Sequence, residues 1–308
     1  TFSSEKRKKT GPHQKAHPAC IELLHHAGIG LVAMANNHIM DYGSRGVHDT
    51  LELCSTNNIA TVGIGRSGRE AAEPFVFRKN GRSIAVLNFA DEEFITSPDD
   101  LYRCNPLDAV GAYYKITRAR RANDNVIVIV HAGNEFYELP SPRTRNLYRY
   151  MIDLGADCVI AHHTHAFSGY EIYNSKPVFY GLGNFIYDWP GRTNTDWNQG
   201  YVVKLIISET IDFEIIPLKQ GNETPGVFKL NETESEEFEA RICHLNEIIA
   251  DENKLEDQFN NYLALVSPMY DAFIEPYFGR FISSLRKRKL FPKFMSKRKR
   301  LLLLNIIR

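Results

Sequence analysis

Residues 157–165 read Asp-Cys-Val-Ile-Ala-His-His-Thr-His, a short apolar run followed by three imidazoles within four residues. The apolar part reads as a buried strand, and the histidines fall at its C-terminal end. Imidazole is a common neutral nitrogen ligand for borderline metals. Where a strand turns into a loop, alternate side chains project together, here His163 and His165. Working outward, two further apolar runs end alike. Leu31-Val32-Ala33-Met34-Ala35 leads into Asn36-Asn37-His38, and Val126-Ile127-Val128-Ile129-Val130 leads into His131. A lone histidine at a strand end is usually structural. Three strands delivering His, or Asn plus His, at their carboxyl ends point to a metal or catalytic centre, because open α/β sheets bind ligands there.

The alternation of strand and helix supports that reading through the first half of the chain. Helical spacing covers His17–His26 with Gly28 as C-cap, Ser44–Asn57, Leu107–Arg121 and Arg143–Leu154, the last ending at Gly155. A short strand is expected at Ala60–Gly63. Pro74–Arg78 and Ser83–Phe89 read as a hairpin around Asn80-Gly81. The β-branched run Val126–Val130 has the pattern of a strand covered on both faces. The texture then turns to β: Tyr170–Tyr173, Val178–Tyr180, Tyr201–Ile207 and Ile211–Ile216 read as successive antiparallel strands of a meander, with turns at Asn174-Ser175 and Glu209-Thr210. These patterns predict a layered α/β/α core, or a β-sandwich with helices outside. After residue 220 the chain reads as an acidic helix over Glu232–Ala250, a further helix to Val266 and a basic end. The expected organisation is a domain over 1–220 and a helical extension over 221–308.

Bulk properties bound the function. The 308 residues carry a net charge of +0, so no overall field draws nucleic acid. Five scattered cysteines form no CxxC pair, which argues against a zinc knuckle or disulfide framework and suits a reducing compartment. The first residues, Thr1 to Lys9, are polar and read as neither a signal peptide nor a membrane anchor. No run approaches the ~20 apolar residues of a membrane helix. The expected location is cytoplasmic or peripheral to the membrane. Arg286–Lys289 and Lys297–Arg300 are basic, with Leu290, Phe291, Phe294, Met295 and Leu301–Leu304 interleaved. This tail is expected to meet an anionic membrane surface or an acidic partner, or else to dock as a solvated helix.

The motifs divide the chemistry. An Asn side-chain oxygen of Asn36-Asn37 suits a hard or borderline cation. His38 beside it faces substrate, where it protonates a leaving oxygen or stabilises transition-state charge. Asp41 is placed to orient that histidine, although the same Asn-rich turn also suits a cap for the helix that follows. The small residues after His131, Ala132 and Gly133, let substrate approach. Glu135 is open to three roles: ligand, acceptor to a ligand, or solvated carboxylate. His163 and His165 are the best ligand candidates, and His162 on the opposite face either binds substrate or packs.

Four segments, ANNHIMDYG at 35–43, HAGNEF at 131–136, GADCVIAHHTHAFSGYEIY at 155–173 and PVFYGLGNFIYD at 177–188, together resemble one family. They carry, in order, the Asn-His, lone His and His-x-His elements of the calcineurin-like metallophosphoesterase superfamily. More closely the chain resembles its capsule-synthesis CapA family, the poly-γ-glutamate biosynthesis proteins, over residues 15 to 218. The resemblance implies a four-layer α/β/β/α sandwich, here with a helical C-terminal extension. It implies that Asn37, His131 and His163 hold one divalent metal (Mn, Zn or Fe), that His165 contributes to a second, and that His38 is catalytic. Asn184, in the last segment, joins Glu135 and His162 as a supporting or substrate-contacting residue. The implied substrate is an anionic polymer or phosphoester.

The chain departs from the pattern in two ways. The superfamily's Asp-rich element and bridging carboxylate, which precede the Asn-His element, are not recognisable before Gln14. Ala132 and Thr164 stand where the family usually has Trp and Pro. The site is expected to be dinuclear only with those upstream ligands. Without them this chain is a degenerate scaffold in a capsule-assembly complex, or binds a single metal weakly. A general metallophosphodiesterase is the remaining alternative.

Overall fold

The apolar run that opened the sequence reading becomes one strand in the middle of a six-stranded sheet in the computed structural model. The structure describes residues 1–274 except 2, 10, 93–99, 188, 190, 193, 194 and 222–225, together with 284, 285, 288 and 290. In chain order come α1 (Ile21–His26), β1 (Leu31–Ala33), α2 (Gly43–Thr56), β2 (Ala60–Val62), β3 (Ile64–Gly65) and α3 (Gly68–Ala71). Then follow β4 (Phe75–Lys79), β5 (Arg82–Ala90), β6 (Arg103–Cys104), α4 (Ala109–Ala122), β7 (Asn125–His131) and α5 (Pro142–Asp153). The later elements are β8 (Cys158–His162), β9 (Tyr170–Tyr173), β10 (Lys176–Phe179), β11 (Gln199–Ile207), β12 (Ile211–Gln220), β13 (Val227–Lys229), α6 (Glu232–Ala250) and α7 (Glu252–Ile274).

The main sheet has the order β4-β5-β7-β8-β10-β9. The expected hairpin is present, β4 antiparallel to β5 around Asn80 and Gly81, both at positive φ. From β5 to β10 the strands run parallel, with Ala90 opposite His131 and His131 opposite His162. Val126, Val128 and Val130 are fully buried and Ile127 is nearly so, as a run apolar on both faces requires; Ile129 and the terminal His131 are half-buried. The later strands do not form one meander. The β9–β10 hairpin joins the main sheet because β10 pairs in parallel with β8. The β11–β12 hairpin instead builds a separate three-stranded sheet with β13. Alternation along a strand cannot say which sheet it will join; the parallel β8–β10 register decides that.

Two neighbouring residues fix the layers. Phe179 packs on Phe213 and Tyr201 of the second sheet, with ring centres 5.0 and 6.5 Å away. Tyr180, next in the chain and so facing the other way, stacks on Tyr148 of α5 at 5.7 Å. Helix therefore covers one face of the main sheet and strands cover the other. Helix α5 starts from Ser141, whose hydroxyl accepts from the Thr144 N–H, with Pro142 at its first position. It buries Arg145, Tyr148, Met151 and Ile152, the i, i+3, i+6, i+7 stripe of a core-facing helix. Truncating Tyr148 to Ala would cost about 3–5 kcal/mol, the usual range for a buried aromatic. The architecture is thus the expected mixed α/β fold with layered sheets and a helical C-terminal part.

The chain divides into two compact units, Thr1–Glu252 and Asn253–Arg308. Helix α6 belongs to the first. It begins with a capping box between Asn231 and Glu234. It buries Phe238 against Phe167, and Asn246 accepts from the Tyr170 N–H at 2.7 Å. Most of α7 falls in the second unit, and most of the basic tail, with the role expected of it, lies outside the described residues. Among the described residues no helix is long and apolar enough to cross a membrane. All five cysteines are free thiols. Cys158 packs in the core as expected, and burial pushes the Cys104 thiol up to about 12, so both are unreactive.

Candidate metal centre and cleft

Parallel register brings the strand-end residues together. Because β7 and β8 are neighbours in the sheet, the last residue of one meets the first residue past the other: the rings of His131 and His163 lie 4.8 Å apart. The Asn-His turn comes from a different sheet, the β1–β2 pair. It is tied in by Asn88 of β5, whose side-chain oxygen accepts from the Ala35 N–H at 2.6 Å. That contact sets Asn37, whose Oδ1 lies 3.1 Å from His131 Nε2. His165 follows at 6.3 Å from His163, ring centre to ring centre. The loops carrying these groups are laced together: Ala132 N–H donates to the His162 carbonyl and Phe136 N–H to the Thr164 carbonyl.

The backbone is bent to present the rings. His163 has φ +100° and His165 φ +58°, both in the region that side chains other than glycine rarely adopt. Such conformations cost on the order of 1–3 kcal/mol each and gather at functional sites. Gly133, at φ +133°, faces Thr164: an added Cβ would come within 2.9 Å of the threonine methyl. The two positions that depart from the resembled pattern, 132 and 164, thus sit on the two loops that touch here.

The electrostatics keep the histidines neutral. Burial, then repulsion from His163, His162, His165 and His38, holds His131 well below the ordinary imidazole value. Burial also lowers His163 and His165, although the charge of Glu135 works against it at both and the Asn184 hydrogen bond does so at His165. His162, behind the centre, is pushed down to about 4 by burial. A neutral imidazole is the form that ligates. Nδ1 of His163 is buried without a hydrogen-bond partner, an arrangement that normally requires an explanation. With Asn37 and His131 it forms a three-donor set of N, N and O atoms that suits a borderline divalent cation. Among the described residues no group of three or more His, Cys, Asp or Glu side chains is arranged to hold a metal, so the set depends on the Asn37 amide.

His38 is held differently. Its Nδ1 lies 2.8 Å from Asp41 Oδ2, and its Nε2 lies 3.1 Å from the Gln14 amide. Asp41 is 1% exposed and is itself fixed by an ion pair with Lys9 and by the Gln14 backbone N–H at 2.7 Å. Asn184 Oδ1 lies 2.9 Å from His165 Nδ1, and its amide nitrogen donates to the Trp197 carbonyl. Asn37, His38, Glu135 and His165 line a cleft of about 350 Å³. His131, His162 and His163 do not line it, although His131 is hydrogen-bonded to Asn37, which does.

Several residues of the cleft carry no signal in the sequence that singles them out. Lys9 and Gln14 come from a polar stretch without periodicity. Gly11 and Pro12 lie between them, and Phe136, Tyr187, Trp189, Trp197 and Arg192 form the remaining wall. Asp91 is within reach of sequence reasoning. It follows the apolar run of β5 as His131 follows β7, its N–H donates to the His131 carbonyl, and its charge acts on His163.

A family model described as bacterial capsule synthesis protein PGA_cap matches residues 1–189. The PGA biosynthesis protein CapA of Bacillus subtilis is 33% identical over 220 residues, 70% of this chain and 58% of that protein. Capsule biosynthesis protein CapA of Bacillus anthracis is 30% identical over 223 residues, 69% and 54% of the two chains. A probable polyglutamine synthesis accessory protein of Mycobacterium tuberculosis is 28% identical over 192 residues, 58% and 50%. The chain spans between half and three-fifths of the length of these relatives. Among solved structures, a 5'-nucleotidase precursor from Thermus thermophilus aligns with TM-score 0.42 at 13% identity, covering 64% of this chain and 40% of that one.

Proposed function

The chain belongs to the bacterial capsule synthesis protein family PGA_cap, and from that premise we propose that it acts in the synthesis or export of an extracellular anionic polymer through metal-dependent, hydrolase-like chemistry. The observation that carries the chemical part is the approach of His131, His163 and Asn37, with His163 Nδ1 buried and unpartnered. These three residues would hold a divalent cation, and His165 would serve a second. A cation held there supplies Lewis acidity toward a phosphoryl or acyl oxygen.

The rest of the chemistry belongs to side chains. With Nδ1 committed to Asp41, His38 presents Nε2 to the cleft, where the Gln14 amide now meets it; once the ring is protonated and substrate displaces that amide, Nε2 gives its proton to the leaving oxygen of an ester or the leaving nitrogen of an amide. Asp41, fixed by Lys9 and the Gln14 backbone, holds the ring in that orientation and stabilises it when charged. Asn184, by engaging Nδ1 of His165, leaves Nε2 of that ring as its free lone pair. Glu135 adds negative charge beside His163 and His165 and favours cation binding.

Elemental analysis after dialysis, with hydrolysis of a γ-linked glutamate oligomer and of a simple phosphodiester, tests the reading. The expected result is one weakly held divalent metal and slow turnover of one substrate. A protein that holds metal but turns over neither is a scaffold with a degenerate site. A protein that holds none overturns the metal reading. Turnover of the phosphodiester alone makes it a general phosphodiesterase.

A further inference from the structure

The histidine centre accounts for only part of the cleft. Apart from Lys9, which is paired with Asp41, and the chain beside it, the remaining wall is aromatic and carries Arg192. Phe136, His165 and Trp197 lie nearly parallel: Trp197 is 4.6 Å from His165 at 24° and 5.7 Å from Phe136 at 30°. The guanidinium carbon of Arg192 sits 4.8 Å from the Phe136 ring centre and 5.6 Å from that of Trp197. A planar cation lying on ring faces keeps its N–H donors in its own plane, around its rim. Those donors match the paired oxygens of a carboxylate or phosphate. Among the described residues no carboxylate pairs with Arg192.

We propose that Arg192, laid on Phe136 and Trp197, is a specificity-determining residue that takes an anionic oxygen pair of the substrate beside the histidine centre. The ligand class is an oxyanion joined to an apolar segment. The oxygens meet the guanidinium, and the segment lies against the Trp189 and Trp197 rings, which offer wide faces at low entropic cost. A polymer with a carboxylate on each repeat has both parts, and a phosphoryl group supplies the oxygens alone. The inference rests on reading the cleft as a site for an anionic substrate, and it adds a separate claim: binding requires Arg192 whether or not the bound molecule is then cleaved.

The chain itself supplies the reporter. It has two tryptophans, Trp189 and Trp197, and both line this cleft, so tryptophan emission reports its occupancy. The full chain, freed of divalent ions, is titrated at low salt with a γ-linked glutamate oligomer and, separately, with inorganic phosphate. A saturable change with either probe is expected. Arg192→Ala should weaken it at least tenfold, and Arg192→Lys should recover only part, because an ammonium lacks the guanidinium fork. Response to the oligomer alone assigns the site to polymer carboxylates; response to phosphate alone assigns it to a phosphoryl group. Equal affinities for the wild-type protein and Arg192→Ala overturn the proposal, as does emission that neither probe changes. Arg192-dependent binding in a protein that cleaves nothing leaves this inference standing and removes the hydrolase reading; turnover that is indifferent to Arg192→Ala does the reverse.

Discussion

The histidine side of the cleft stands on strand ends, whereas the aromatic side stands on the irregular chain between β10 and β11 and on the loop after β7. His131 and His163 are neighbours because β7 and β8 pair in register. Tyr187, Trp189, Arg192 and Trp197 are neighbours through ring packing and a few hydrogen bonds, such as Trp197 Nε1 to the Tyr187 carbonyl. Rigid sheet holds the groups whose placement must be accurate for chemistry. Loop holds the groups that choose what enters. If that division is right, substitutions on one side should leave the other side's function in place.

The largest expected effect is on the histidine side. His163→Ala removes a donor whose buried Nδ1 has no other partner, and it should lower metal content at least a hundredfold in elemental analysis. The oligomer-dependent change in tryptophan emission should survive. If this variant loses both metal and oligomer binding while still folded, the two sides are one unit and the division fails.

The next effect separates roles within the histidine side. His38→Ala should leave metal content near wild type and cut turnover by about a hundredfold or more, because His38 is bound to Asp41 and Gln14 rather than to the other imidazoles. Loss of metal equal to that of His163→Ala would place His38 among the ligands.

How much of this arrangement is legible in the sequence follows the same line. Strand-end histidines are legible because a buried strand is an apolar run and its end is where polarity begins; Asn37, His38, His131, His163 and His165 all stand out in that way. The sheet to which β9 and β10 belong does not, because alternation is the same in either sheet and the parallel β8–β10 pairing is non-local. Arg192 and Trp197 leave no periodic signal, since their meeting depends on loop conformation. Asp91 is legible by the strand-end rule, but the hairpin signal at Asn80-Gly81 hides it: β5 reads as half of a hairpin, whereas it also pairs with β7.

A smaller effect concerns pH. Burial lowers His131, His163 and His165 and takes His162 down to about 4. An imidazole whose folded value lies below its unfolded value of ~6.5 binds more protons in the unfolded chain. Stability is therefore full above that value and is lost as pH falls from about 6.5 toward 4. For His162 alone the loss is on the order of 2 kcal/mol, allowing for partial exposure of the residue. The carboxylates held low, Asp124 by Ser83 and Glu234 by Lys219, lose their contribution only at lower pH, so the window from about 6.5 to about 4.5 reports the histidines. Urea unfolding of metal-free protein across that window should show the decline, and His162→Gln should flatten it. An unchanged midpoint would mean that these rings are more hydrated than their packing implies, and the contrast between a dry histidine side and a wetter aromatic side would lose its basis.

The smallest expected effect falls where the two sides are joined. Asn184 is 7% exposed and serves both at once: its oxygen meets His165 Nδ1, and its nitrogen donates to the carbonyl of Trp197. Neither contact is to substrate or metal, so its role is to position. Removing a group that orients a ligand typically costs about 10–100-fold in metal affinity or activity. The low end is expected here, since stacking on Trp197 still restrains the His165 ring. Asn184→Ala should therefore weaken metal binding about tenfold and oligomer binding by a similar factor, a double loss that neither His163→Ala nor Arg192→Ala should produce. Asn184→Asp, which keeps an acceptor toward His165 and gives up the donor toward Trp197, should restore the first and not the second. Were it to restore both, the Trp197 carbonyl contact would be dispensable, and His165 alone would set the position of the aromatic wall.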